Sequence, residues 1–388
     1  MIDHELMLSD TLKDIKPSGI RKFFDLLSDM GDVTALTVGQ PDFVTPWHIR
    51  EAAIQSLERG HTYYTSNSGL PELRSEIARY MNRRFGLDYS AGEVLVTVGG
   101  SEAIDVAIRS LVNPGDEVII PMPSFVCYEP IARMAGAVPV IINTRAENGF
   151  KLTADELRQA ITPRTKVLVL PYPNNPTGAI LERDELEKLA EVLRDTNIAI
   201  LSDEIYAELT YGKTHVSIAS IDGMRERTII ASGFSKAYAM TGWRLGYICA
   251  PAAWTRQMTK LHQYAIMCAP TVSQFAAIEA LKNGDDDIAE MCAEYNRRRV
   301  FIAEGLERIG LPVMIPEGAF YIYPYIGGFG LSSEEFCQRL LMEEKCAIVP
   351  GTAFGECGEG YARISYAYSV KHIEEALEKI ERFIKKLK

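Results

Sequence analysis

Residues 228–246 read TIIASGFSKAYAMTGWRLG: an apolar run, Thr228–Ala231, passes into a loop of small and hydroxyl-bearing residues that holds one lysine, Lys236. Most lysines are solvated and carry no chemistry. An amine kept near neutrality by burial and cationic neighbours can instead condense with an aldehyde. The flanks of Lys236 favour the second reading. Ser235 adds a hydroxyl, Thr241-Gly242 makes a tight turn, and Arg244 supplies a planar cation suited to phosphate. An amine beside an anion site is what pyridoxal phosphate requires.

The run before this loop is one of a series. Val94–Val98, Val118–Ile120, Val138–Ile142, Val167–Leu170, Ala199–Leu201, Thr228–Ala231 and Leu245–Cys249 are strand-like. In most gaps they alternate with helical stretches such as Ser101–Leu111, Ala154–Ile161 and Arg183–Arg194. The alternation predicts an α/β fold with a seven-stranded, mainly parallel sheet between layers of helices. Such sheets bind ligands beyond the carboxyl ends of their strands. The candidates sit there: Gly99-Gly100-Ser101 after the first run, Asn175 after the fourth, Asp203 after the fifth and Lys236 after the sixth.

Farther out, residues 288–309 (IAEMCAEYNRRRVFIAEGLERI) form a long charged helical pattern that leaves the sheet. Beyond it, Ala319–Tyr323, Cys346–Val349 and Ala362–Tyr366 read as strands. Val370–Lys388 reads as a helix with one apolar stripe (Ile373, Ala376, Leu377, Ile380, Phe383, Ile384, Leu387). Glu and Lys mixed on its other face point to packing on those strands rather than on a membrane. Near the start, Ile20–Met30 is amphipathic, and Ala35–Val38 runs into the turn Gly39-Gln40-Pro41. The expected division is an arm and part of a smaller α+β domain in residues 1–44, a large domain in 45–284, and a bridging helix with the rest of the small domain in 285–388.

A net charge of −11 argues against a polyanion-binding surface, so nucleic acid is not expected as a partner and any phosphate site must be local. The seven cysteines form no CxxC pair and no cluster at zinc-ligand spacing, so no metal is expected and the thiols read as free. The opening MIDHELMLSD lacks the positive charge and apolar core of a signal peptide, and no stretch reaches the roughly 18 apolar residues of a membrane span. A reducing cytoplasm is the expected location.

Backbone N–H groups of Gly100, Ser101 and Glu102, at a helix start, can cradle an anion, with Glu102 serving only through its backbone. A plain cap by Ser101 is the alternative. The spacing is not the GxGxxG of dinucleotide folds, and no P-loop lysine follows. Asp203 is either a helix cap or a buried carboxylate that keeps a pyridine nitrogen protonated. Tyr206, three residues on, shares its face. The stretch PYPNNPTG, residues 171–178, is a rigid turn by composition. Phe125 is a core aromatic or a stacking partner for a ring. Arg363, inside an apolar run, is a solvent-side residue or a fork for a carboxylate.

SGFSKAYAMTGWRLG resembles the lysine motif of the class I/II aminotransferases, the fold-type I pyridoxal-phosphate enzymes. SGIRKF, VGQPDF, VLPYPNNPTG and LSDEIYAELTY follow in the family's order along essentially the whole chain, closest to the branch containing aspartate, aromatic and N-acetyl-diaminopimelate aminotransferases. The resemblance implies that Lys236 carries pyridoxal 5′-phosphate and moves the α-proton, with Asp203 at the ring nitrogen and Tyr206 and Asn175 at the ring oxygen. It implies that Phe125 stacks on the ring and that Arg363 grips the substrate carboxylate, with Gly39 and Ile20 close by. Tyr64 would reach the phosphate of a second subunit, making the enzyme a homodimer with shared sites. Gly233 departs from family members with a phosphate-binding serine there, which puts more of that contact on Ser235 and Arg244. The implied activity is ping-pong transfer of an amino group from an L-amino acid to a 2-oxo acid. A β-lyase on the same fold is the alternative, and N-acetyl-diaminopimelate transamination a specific form of the main reading. Tyr63, Tyr128, Tyr264 and the loop Gly318–Tyr321 suggest room for an apolar side chain.

Overall fold

After a two-residue strand, β1 (Thr34–Ala35), seven apolar runs pair into one sheet: β2 (Val94–Thr97), β3 (Glu117–Met122), β4 (Val138–Asn143), β5 (Thr165–Leu170), β6 (Ala199–Asp203), β7 (Thr228–Gly233) and β8 (Gly246–Cys249). The structure is a computed structural model that describes residues 4–13, 15, 17 and 31–388; the amphipathic segment Ile20–Met30 lies outside them.

The strand order is β2-β8-β7-β6-β5-β3-β4. Only β8 runs antiparallel to its neighbours β7 and β2, so every other strand delivers its carboxyl end to the same edge. Apolar side chains leave both faces. Val118, Ile120, Val167 and Val169 join one core with the helix Gly100–Leu111, while Ile119, Leu168 and Ile200 join another with the helix Arg183–Leu193. Each buried Val, Leu or Ile is worth about 1.5–3 kcal/mol. A one-residue slip would exchange the two faces of a strand, so packing on both sides fixes the register.

The remaining strands are short: β9 (Tyr321–Ile322), β10 (Cys346–Ala347), β11 (Val349–Pro350) and β12 (Ala362–Ser365). β11, β12 and β9 form an antiparallel sheet, and β10 pairs in parallel with β1. The sequence predicts one strand over Cys346–Val349, but the strand breaks at Ile348 and its halves join different sheets. One core gathers Leu36 with residues of the helices Asp285–Arg308, Ser333–Glu344 and Val370–Leu387. The apolar stripe of the last helix is buried in that core, with Leu387 partly so. Among the described residues no helix is long and apolar enough to cross a membrane.

Candidate active site

The carboxyl edge of the large sheet faces the small one across a cavity of about 340 Å³. One corner is built for an anion. The helix Gly100–Leu111 starts there behind Gly99, whose φ of +80° favours glycine. The first N–H groups of a helix have no partner within it. The Ser101 side chain does not cap the helix and lines the cavity instead. Arg244 lies against this start, so that a Cβ at position 99 would come within 2.5 Å of its Nη2. Its Nη1 donates to the Thr241 carbonyl at 3.0 Å. Ser235, buried, lines the same cavity. The Glu102 carboxylate is turned away, accepting from the Val98 N–H and meeting His262 Nδ1 at 2.6 Å, so only its backbone faces the corner.

Gly233 has a physical reason to lack a side chain. A Cβ there would meet Gly246 Cα at 2.8 Å and the Leu245 carbonyl at 2.9 Å. β7 and β8 approach backbone to backbone, leaving Ser235 and Arg244 to face the corner.

The amine stands beside it. Lys236 Nζ donates to the Gly39 carbonyl at 2.6 Å. Burial, then the Arg363 and Arg244 charges, push its pKa down to about 8 against the opposing pull of Asp203. Asp203 is held at both oxygens: Oδ2 accepts from the Tyr128 hydroxyl at 2.6 Å and Oδ1 from the Ile205 N–H at 3.2 Å. Burial raises its pKa to about 6, and the two bonds restrain the rise. Tyr128 lines the cavity, and its hydroxyl also braces the carboxylate. Phe125 stands half-buried at the cavity wall, edge-on to Tyr128 with ring centroids 6.3 Å apart.

On the opposite wall Arg363 is only 2 % exposed. All four residues of β12 are buried, which rules out a solvent-side arginine. Nη1 donates to Asn175 Oδ1 at 3.1 Å and Nη2 to the Thr37 carbonyl at 2.5 Å, while Nε has no partner. The guanidinium lies 4.6 Å from the Tyr321 ring and 4.7 Å from that of Phe354. No carboxylate pairs with it among the described residues, so a buried fork is left for an anionic ligand. Tyr206 meets Tyr321 hydroxyl to hydroxyl at 2.8 Å.

The cavity thus collects Gly39, Gly100, Ser101, Phe125, Asn175, Asp203, Tyr206, Ser235, Lys236, Arg244 and Arg363. Tyr64 does not line it and is 78 % exposed; Tyr63 and Tyr264 also stand in solvent, away from the cavity. Ile20 lies outside the described residues. Sequence reasoning missed the partnerships of Tyr128 and Tyr321.

An amine, a buried acid and an anion corner at the carboxyl edge of a doubly wound sheet define an enzyme site of the fold-type I class. Residues 31–380 match the family Aminotransferase class I and II, and the chain belongs to that family. It is 53 % identical over 380 residues to a putative aminotransferase, YugH, of Bacillus subtilis, covering 98 % of each chain. It is 45 % identical to the probable N-acetyl-LL-diaminopimelate aminotransferase of the same organism, covering 98 % of this chain and 97 % of the other. The solved aspartate aminotransferase from Thermus thermophilus with maleate superposes with a TM-score of 0.93 at 38 % identity, over 97 % of this chain and 99 % of that one.

Proposed function

We propose that the cavity holds pyridoxal 5′-phosphate and that the chain moves the α-amino group of an L-amino acid to a 2-oxo acid, with 2-oxoglutarate the expected acceptor. The observation that carries this is Lys236, a half-buried amine with a pKa near 8 set between an anion corner and a buried acid. The residues fit the group: a helix start with Arg244 for the phosphate, Asp203 for the ring nitrogen, Phe125 for the ring face, and Asn175 and Tyr206 for the ring oxygen. When bound, the cofactor supplies electron withdrawal from Cα of an attached amino acid, which makes the Cα proton acidic.

This chain's residues do the rest. Arg363 grips the α-carboxylate by two parallel bonds and so orients Cα. Lys236 Nζ, about half neutral at pH 8, would take the α-proton from Cα and hold it for return. Asp203 keeps the ring nitrogen protonated; its braced oxygens hold the carboxylate in the position this requires. The same set runs the second half-reaction in reverse, which gives ping-pong kinetics.

Tyr64, exposed on the single chain, supports a homodimer in which it reaches the partner's phosphate corner. The Arg363 side belongs to a small domain of residues 1–44 and 285–388, and the Lys236 side to residues 45–284. The cavity's cations are Lys236, Arg244 and Arg363, each already assigned. Aspartate, an aromatic donor and N-acetyl-diaminopimelate all remain within the donor class, as the names of the relatives suggest.

A donor panel with 2-oxoglutarate, read against Lys236→Ala, tests the proposal. Purified protein supplied with the cofactor should absorb visible light and form glutamate; material that binds none of it would overturn the reading. Release of pyruvate and ammonia from cystathionine without consumption of 2-oxoglutarate would move the chain to the β-lyases.

A further inference from the structure

The Tyr206 and Tyr321 oxygens stand 2.8 Å apart, both residues are buried, and neither hydroxyl has another hydrogen-bond partner among the described residues. Two hydroxyls bring two protons, and the bond between them uses one. The second must point elsewhere. On the Tyr321 side Gly39 crowds the hydroxyl, since a Cβ added there would lie 2.4 Å from its oxygen. The Arg363 guanidinium, 4.6 Å from the Tyr321 ring, favours electron density there and makes this phenol the better donor of the pair. Tyr206 has no such cation on its own ring at that distance; Lys236 Nζ is 5.7 Å from it. The charged groups around the pair are Arg363 from β12, Lys236 from the loop after β7, and Asp203 at the end of β6.

We propose that Tyr321 is a positioning residue for Tyr206: its hydroxyl donates to the Tyr206 oxygen, which turns the Tyr206 proton outward to the ring oxygen of the cofactor. The inference rests on the cofactor reading given above. Tyr321 acts at one remove. By donating, it also makes the Tyr206 hydroxyl a stronger donor, because a chain of hydrogen bonds polarises its members.

Tyr321→Phe tests this, since it removes one oxygen and keeps the ring that packs on Arg363 and Tyr206. The readout is the pH midpoint of the visible band of the cofactor-loaded protein, not turnover. A weaker donor at Tyr206 leaves the ring oxygen more basic, so the midpoint should rise. The rise expected from losing one neutral hydrogen bond is on the order of half to one pH unit. It should be smaller than the rise in Tyr206→Phe and should vanish when both changes are combined. An unchanged or lowered midpoint, or the same rise in the Tyr206→Phe background, would overturn the proposal. Failure of the unaltered chain to develop a visible band at any pH would instead overturn the cofactor reading.

Discussion

Arg363→Gln should separate binding from folding. The guanidinium is 2 % exposed, is hydrogen-bonded only to the neutral Asn175 and Thr37 oxygens, and stands between two aromatic rings. Burial without a counter-charge pushes its pKa down. Removing the charge therefore returns a desolvation cost of several kcal/mol while losing two hydrogen bonds to neutral groups, each about 1.5–3 kcal/mol. The terms nearly cancel, so the ligand-free melting temperature should stay within a few degrees. Catalysis should not be spared. Two charge-assisted bonds to a carboxylate are worth roughly 3–6 kcal/mol together, which predicts a loss of about 10²- to 10⁴-fold in kcat/KM for the amino donor. Thermal melts without donor and single-turnover titrations with it measure the two effects. Unchanged donor kinetics would refute the carboxylate role. A collapse in melting temperature would show that the charge is structural.

Further outcomes follow from the same geometry. Lys236 has a folded pKa of about 8 against its ordinary 10.5, so protonation opposes folding; the ligand-free chain should gain stability as pH rises from 8 towards 10.5. The gain from this group is about 3 kcal/mol at most, and Lys236→Met should abolish it in urea melts at pH 7.5 and 10. Gly39→Ala would place a Cβ 2.4 Å from the Tyr321 hydroxyl. Overpacking of that kind costs about 1–3 kcal/mol, and unaltered melting with unaltered donor affinity would contradict the tight fit. Tyr64→Phe should leave the melting of the chain unchanged but hasten cofactor loss on dilution and gel filtration. Full retention would refute a shared site.

The strands and the residues at their ends were legible because both are local properties. An apolar run buried on two faces and a polar residue just past it are written within ten residues, as with Ala199–Asp203 and Thr228–Lys236. Partners across the fold were not. Tyr128 meets Asp203, Arg363 meets Asn175, and Tyr206 meets Tyr321 over separations of 75, 188 and 115 residues, which no periodicity encodes. Tyr128 does line the cavity, but its bond to Asp203 was not legible because a phenol's hydroxyl does not announce its acceptor. The splitting of Cys346–Val349 has a similar cause: four apolar residues suit one strand as well as two, and only the neighbours β1 and β12 decide.

The reversal of β8 has a consequence for how ligands of different residence times could share one cleft. Because the chain doubles back, Lys236 and Arg244 are clamped to the same rim as Asp203 and the Gly100 helix, all anchored in one slab of backbone. Arg363, Thr37 and Tyr321 belong to the other slab. Under the proposed assignment, any parting of the two would loosen the grip on a visiting carboxylate and break the Tyr206–Tyr321 and Lys236–Gly39 bonds, while sparing the direct contacts to a permanent tenant.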